Sequence, residues 1–105
     1  MRREDVSAEL LEDVKNELDV TWNDEATDRR YRGLIARATT YLDGKAGTVL
    51  DYDDDDLPRT LMIEYVRYAR DAALDVFENN YLSMILDLQN RKAVDAYLES
   101  TQQAE

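Results

Sequence analysis

The fold class that the sequence predicts is all-α: a small bundle of three to four helices with a long acidic loop between the second and third helices. Apolar residues recur at helical spacing in three separate stretches, Leu10–Leu18, Tyr31–Leu42 and Leu61–Phe77. Helix start and stop residues, Ser7, Gly44, Pro58 and Asn79-Asn80, fall before, between and after them. The one stretch that suits an extended segment, Thr48–Leu50, is too short for a strand. At 105 residues the chain is sized for a single domain, residues 1–105.

Ser7 is placed as the N-cap of a first helix over about 8–18, with Leu10, Leu11, Val14 and Leu18 on one side and Glu9, Glu12, Asp13 and Glu17 on the other. Asp19–Asn23 breaks that period. A second helix over about 24–43 follows, with the pair Thr21 and Asp24 and the residue Asn23 as competing caps. Its stripe is Tyr31, Leu34, Ile35, Ala38, Tyr41 and Leu42, with Arg29, Arg30, Arg32 and Arg37 mainly off it. Gly33 inside this helix costs about 1 kcal/mol against alanine, which a close helix crossing would explain. Gly44 is positioned as a left-handed C-cap. Pro58 suits the first turn of a third helix over about 58–78, where its missing N–H has no partner to lose. The acidic run from Asp51 to Asp56 complements the positive end of that helix. Leu61, Met62, Tyr65, Ala69, Ala72, Ala73, Val76 and Phe77 hold its period. Asn79-Asn80 marks a stop or kink. Beyond it Tyr81, Met84, Ile85 and Leu88 continue a helical pattern that Val94, Tyr97 and Leu98 extend, with LSMILDL as a short extended piece the alternative. Residues 102–105 are expected to fray.

The chain has neither cysteine nor histidine. Disulfides, thiol chemistry, the usual zinc sites and a histidine acid–base catalyst are thereby excluded. Thirteen basic against 24 acidic residues give a net charge of −11. Such a surface repels DNA and anionic lipid over about 8 Å at physiological salt, so a protein that grips phosphates is disfavoured. The opening MRREDVSAELLEDV lacks the apolar core of a signal peptide. No apolar run approaches the ~20 residues of a membrane span, and no membrane association is expected.

The aspartate run invites a calcium-loop reading. Counted from Asp51, position six is Asp56 where the EF-hand wants glycine, and position twelve is Met62 where it wants glutamate. A solvated loop that also caps a helix is the expectation, with no metal and no cofactor. Among 24 acids, carboxylate pairs arise by chance, and no Ser/His/Asp set, Cys/His set or glycine-rich phosphate loop turns them into an active site. Enzyme activity is not expected. Tyr31, Tyr41 and Tyr65 lie on apolar stripes and are assigned to the core, while Tyr52 and Tyr68 read as more exposed and suited to an interface. Trp22, in a turn, has two readings, locking that loop onto the core or plugging a neighbour, of which the core is preferred. Arg67 and Arg70 on the third helix, and Arg59 near its start, have two readings: ion pairs within the helix, or contacts to an acidic surface of an adjacent copy. Candidate inter-subunit or partner contacts are therefore Arg59, Arg67, Arg70 and Tyr68, with the loop residues Asp53, Asp54, Asp55 and Asp56.

Between Leu10 and Leu88 the chain carries an ordered set of pieces. LLEDVKNELDVTW is followed by DEATD, a YLDGKAG turn, an acidic loop closing on LPR, and RYARDAALDVFENN with a following L-x-L end. The set, about three quarters of the chain, resembles the small head–tail connector proteins of tailed bacteriophages. The resemblance implies an all-α protein that is not an enzyme and assembles as a homo-oligomeric ring, usually of twelve copies in the virion. That ring would sit between the portal protein and the next neck or tail-completion protein. The resemblance also implies a place in the virion neck, assembly in the bacterial host cytoplasm, and DNA that passes through the ring without sequence-specific binding. Residues 90–105 continue beyond the part that carries the likeness. The family is defined by a scaffold rather than a catalytic motif, so no single residue role transfers. The alternative from another class is a small acidic DNA-mimic inhibitor of a DNA-binding enzyme. It would need carboxylates spread in duplex-like rows, whereas many here cluster in one loop and at helix ends.

Overall fold

The computed structural model describes residues 1–103, whose regular structure is all helical, with no strand. A short 3-10 turn, Arg3–Asp5, leads into α1 (Ala8–Glu17), α2 (Glu25–Ala46), α3 (Leu57–Arg70) and α4 (Leu74–Gln103). α1 starts as its sequence dictates, with Ser7 Oγ accepting from the Leu10 N–H at 3.0 Å. It ends in a Schellman turn in which the Val20 N–H donates to Lys15 O at 2.8 Å and Asp19 is left-handed at φ 57°. Asp24 is the cap of α2. Its carboxylate accepts from the Thr27 N–H at 2.7 Å and from Thr27 Oγ1 at 3.0 Å. The backbone donor in particular holds the Asp24 carboxyl below its usual range.

Two helix ends differ from the apolar pattern. α2 runs past Gly44 to Ala46, and the left-handed cap is Gly47, φ 74°, whose N–H donates to Asp43 O at 2.9 Å. The added residues are held from α4: Lys45 Nζ lies 2.6 Å from Glu78, and Lys45 O accepts from Gln89 Nε2 at 3.0 Å. The stretch that reads as one helix over 58–78 is split. α3 stops at Arg70 and Ala72 is left-handed at φ 56°, with the Ala73 N–H donating to Tyr68 O at 2.8 Å and the Ala72 N–H to Ala69 O at 3.2 Å. This is a second Schellman turn, built without glycine. Ala72 and Val76, on the expected core stripe, are consequently exposed, while Phe77 returns to the core on α4. Just after Asn79-Asn80, Tyr81 leaves helical geometry (φ −114°, ψ 15°) and kinks α4, and LSMILDL is helical.

One contiguous core joins Leu10, Leu11 and Val14 of α1, Tyr31, Leu34, Ile35, Ala38 and Leu42 of α2, Leu61, Met62, Tyr65 and Val66 of α3, and Phe77, Ile85 and Leu88 of α4. Phe77, 1 % exposed, is ringed by Tyr81, Tyr65, Tyr68 and Tyr41 at 5.1, 5.4, 5.6 and 6.1 Å between ring centres. Gly33 serves a close approach, but not of a helix. The Arg3 guanidinium lies across it, and a Cβ there would stand 2.9 Å from Nη2.

α4 outruns the bundle. Its last ties to the other elements are Gln89, bonded to Lys45 O, and Arg91, 3.7 Å from Asp56. Beyond these, the polar contacts of its described side chains stay within the helix, as in Lys92–Asp95 at 3.6 Å and Thr101 to Tyr97 O at 3.0 Å. Val94, Tyr97 and Leu98 stand exposed there. The molecule measures 53 × 28 × 19 Å with a radius of gyration of 15.1 Å, against about 13 Å for a compact chain of this length. Among the described residues no helix is long and apolar enough to cross a membrane.

Candidate functional site

The segment between α2 and α3 is organised from one carboxylate. Asp43 Oδ1 accepts from the Leu50 N–H at 3.1 Å and from the Tyr52 hydroxyl at 2.6 Å, and that hydroxyl also lies 3.1 Å from Thr39 O. Tyr52, expected at the surface, is therefore buried at 3 % exposure, because Asp43 supplies the partner its hydroxyl needs. Burial first, then Asp43, push its phenol well above the usual value. Leu50 is buried beside it. With these two side chains inserted, the aspartates that follow are held at the surface. The Asp53 N–H donates to Asp51 Oδ1 at 2.9 Å, the Asp56 N–H donates to Asp54 O at 2.9 Å, and the Asp56 carboxylate caps α3 by accepting from the Leu57 N–H at 2.7 Å.

Arg59 ties this loop to α1. Its guanidinium pairs with Asp13, donates to Asp53 O at 3.0 Å and lies 3.6 Å from Asp55. The other candidates sit elsewhere on α3. Arg67 pairs with Glu64 at 3.2 Å, and Arg70 donates to Leu18 O at 3.1 Å and pairs with Asp71 at 3.2 Å. Tyr68 is half-buried against Phe77 and Tyr81 and accepts from Asn80 Nδ2 at 3.1 Å. The structure thus gathers Arg59 with the loop aspartates, while Arg67, Arg70 and Tyr68 are engaged separately within the fold.

Below the loop, α1 and α3 enclose a cleft of about 670 Å³ lined by Glu9, Asp13, Glu17, Asp53, Asp55 and Glu64, with Arg59 as its one cation among the described residues. Among the described residues no set of three carboxylates is close enough to hold a metal ion. Glu64 also accepts from the Tyr81 hydroxyl at 2.9 Å; burial and this bond push that phenol up to about 12.

Trp22 is 71 % exposed rather than in the core. The turn after α1 sends Val20 inward against the core and leaves Trp22 outside, on the wall of a shallow cavity with Val20, Arg30, Tyr31 and Arg70. A residue that sequence reasoning passed over holds this region. Lys15, 2 % exposed, donates from Nζ to Asp28 at 2.7 Å and to Asn23 Oδ1 at 3.1 Å. Asn23 is thus an anchor rather than a cap. The signal was present in the chain: Lys15 adjoins Val14 on the apolar side of α1, and polar acceptors open the next helix.

These features define a small helical scaffold with a projecting helix end and charged surfaces. No family model matches the chain, no curated protein matches it, and no solved structure matches it.

Proposed function

We propose that the chain is a structural subunit of the neck of a tailed bacteriophage. It forms a ring between the portal and the tail or next neck protein, closes the DNA-filled capsid, and serves as the platform on which the tail docks. The support is the ordered set of pieces between Leu10 and Leu88, together with an all-helical fold of the kind the resemblance implies. The observation that carries the reading is the stretch of α4 that leaves the bundle. Roughly 18 Å of helix extends past Arg91, with Val94, Tyr97 and Leu98 exposed on it. A lone subunit gains nothing from projecting such a surface into water, whereas a subunit that joins neighbours at both ends uses it. The net charge of −11 suits a ring whose lumen passes DNA without holding it. Of the two placements open to the acidic loop Asp51–Asp56, the channel lumen or a partner interface, the proposal takes the partner interface.

Electron microscopy of DNA-filled, tailless heads mixed with the purified protein tests this. Added ring density at the portal vertex is expected. Heads that leave the protein free in solution would contradict the proposal. A protein that instead blocks restriction or nuclease digestion in the same extract would be a DNA mimic.

A further inference from the structure

Of the thirteen lysines and arginines, eight hold a carboxylate within ion-pair distance: Arg2, Lys15, Lys45, Arg59, Arg67, Arg70, Arg91 and Lys92. Among the described residues the five without one are Arg3, Arg29, Arg30, Arg32 and Arg37. They are not scattered. Arg29, Arg30, Arg32 and Arg37 fall within about 160° of arc on α2, opposite the buried stripe Tyr31, Leu34, Ile35 and Ala38. The Arg3 guanidinium joins them by lying over Gly33, in the middle of that arc. Arg32 donates to Val6 O and Arg30 lies 5.9 Å from the centre of the Tyr31 ring, but neither contact neutralises charge.

In a chain of 24 acids this separation is not for want of neighbours. Glu4, Asp24, Glu25 and Asp28 rim the same cavity as Arg3, Arg29 and Arg32. Asp28 is paired with Lys15 and Glu4 with Arg2, which leaves two carboxylates, Glu25 and the Thr27-bonded Asp24, against the guanidinium groups at that end of the face. The opposite surface is the cleft whose carboxylates include Glu9, Glu17, Asp53 and Asp55. It is built from α1, α3 and the loop before α3, and shares no residue with the cavity of the α2 arginines, so the two charged surfaces are separate.

We infer that the arginine face of α2 docks on the carboxylate cleft between α1 and α3 of a second copy of this chain. Charge complementarity argues for that occupant. A nucleic acid on the same arginines would bring a dense row of phosphates against a molecule whose remaining surface is strongly anionic. A second copy brings carboxylates over a matching length, because Glu9 to Glu17 on α1 and Arg29 to Arg37 on α2 each span about 12 Å of helix. A contact between two different surfaces of one chain is head-to-tail, so it propagates to a third copy and closes when the rotation allows. The inference deepens the neck proposal and rests on it for closure into a ring, while the contact itself rests on the charge map.

Small-angle scattering of the full chain at up to about 1 mM, where even millimolar contacts register, tests it with two surface variants. These are Arg29→Glu with Arg37→Glu, and Glu9→Lys with Glu17→Lys. The parent is expected to self-associate, and each variant alone to associate about tenfold more weakly or less. An equimolar mixture of the two should recover association, because each then offers the other a complementary surface. Recovery also shows that both variants are folded. A parent that stays monomeric, variants that associate like the parent, or a mixture without recovery would each overturn the contact. So would duplex DNA binding, read by fluorescence anisotropy, that disappears with the arginine variant. The neck proposal fails on a different observation, free protein beside unmodified heads, so the two are judged separately.

Discussion

Replacing Ala72 with glycine tests the turn that separates α3 from α4 and brings Phe77 back into the core. Ala72 is left-handed at φ 56°, a conformation that costs an L-residue about 1–2 kcal/mol. Glycine removes that strain and adds about 0.5–1 kcal/mol of unfolded-chain entropy to be lost on folding. Ala72 is exposed, so no packing is lost with its methyl group. The net expectation is a stabilisation of about 0.5–1 kcal/mol, or a melting temperature about 2–5 °C higher for a chain of this size. If residues 58–78 formed one unbroken helix, the same substitution would cost about 1 kcal/mol. The two structures therefore differ in the sign of the effect. Thermal denaturation followed by circular dichroism, with a urea titration for the free energy at 25 °C, reads that sign. A lower melting temperature would refute the left-handed turn and the path of α4 that follows from it.

Lys15 and Asp28 should respond unequally to mutation, because the lysine side chain is 2 % exposed and the aspartate 39 %. Lys15→Met leaves a carboxylate that water can reach and should cost less than about 1 kcal/mol, whereas Asp28→Ala strands a buried ammonium and should cost about 3 kcal/mol; equal losses in urea denaturation would contradict this. Tyr52 and Tyr81 have phenols raised above their ordinary value of 10.0 in the folded state, Tyr81 to about 12. Their contribution is complete below pH 10 and is lost as the pH climbs through the folded values. The melting temperature should drop above pH 10, and Tyr52→Phe should make that drop shallower; an unchanged alkaline slope would count against the Tyr52–Asp43 arrangement. Phe77→Ala removes the ring that four tyrosines surround and should cost about 3–5 kcal/mol, with a near-parental melt as the contrary result. Truncation after Lys92 removes the projecting end and should leave the melting temperature within about 2 °C of the parent; a larger fall would mean that this segment supports the bundle.

Where side chains act through local rules, the sequence was legible. Ser7 before an apolar stripe caps α1, and the stripe of α2 is buried as its spacing requires except for Tyr41, which is half-buried at the edge of the core. The start of α2 was only half legible: the sequence offered Asn23, or a box with Thr21 as the cap and Asp24 as its partner, and the structure instead makes Asp24 itself the cap through the Thr27 bonds. The α3–α4 break was not legible, because alanine is a strong helix former and Ala72 occupies a left-handed turn that usually advertises itself with glycine. Gly44 misled for the converse reason. A glycine near a helix end marks a cap only if the chain turns there, and Lys45 with its partners in α4 carries α2 on to Gly47. Tyr52 and Lys15 were hidden because their burial depends on acceptors distant in sequence, Asp43 and Asp28. The candidate arginines were chosen by their place on α3. Only the full set of ion pairs reveals that Arg59, Arg67 and Arg70 are matched within the fold and that the unmatched group lies on α2.

Tail joining tests the central proposal most directly. In a phage that lacks this protein, capsids should fill with DNA yet remain tailless, and some should leak their genome. Adding the purified chain to those heads should restore tail attachment and infectivity. Infectious particles that form in equal yield without the protein would contradict its assignment to the neck.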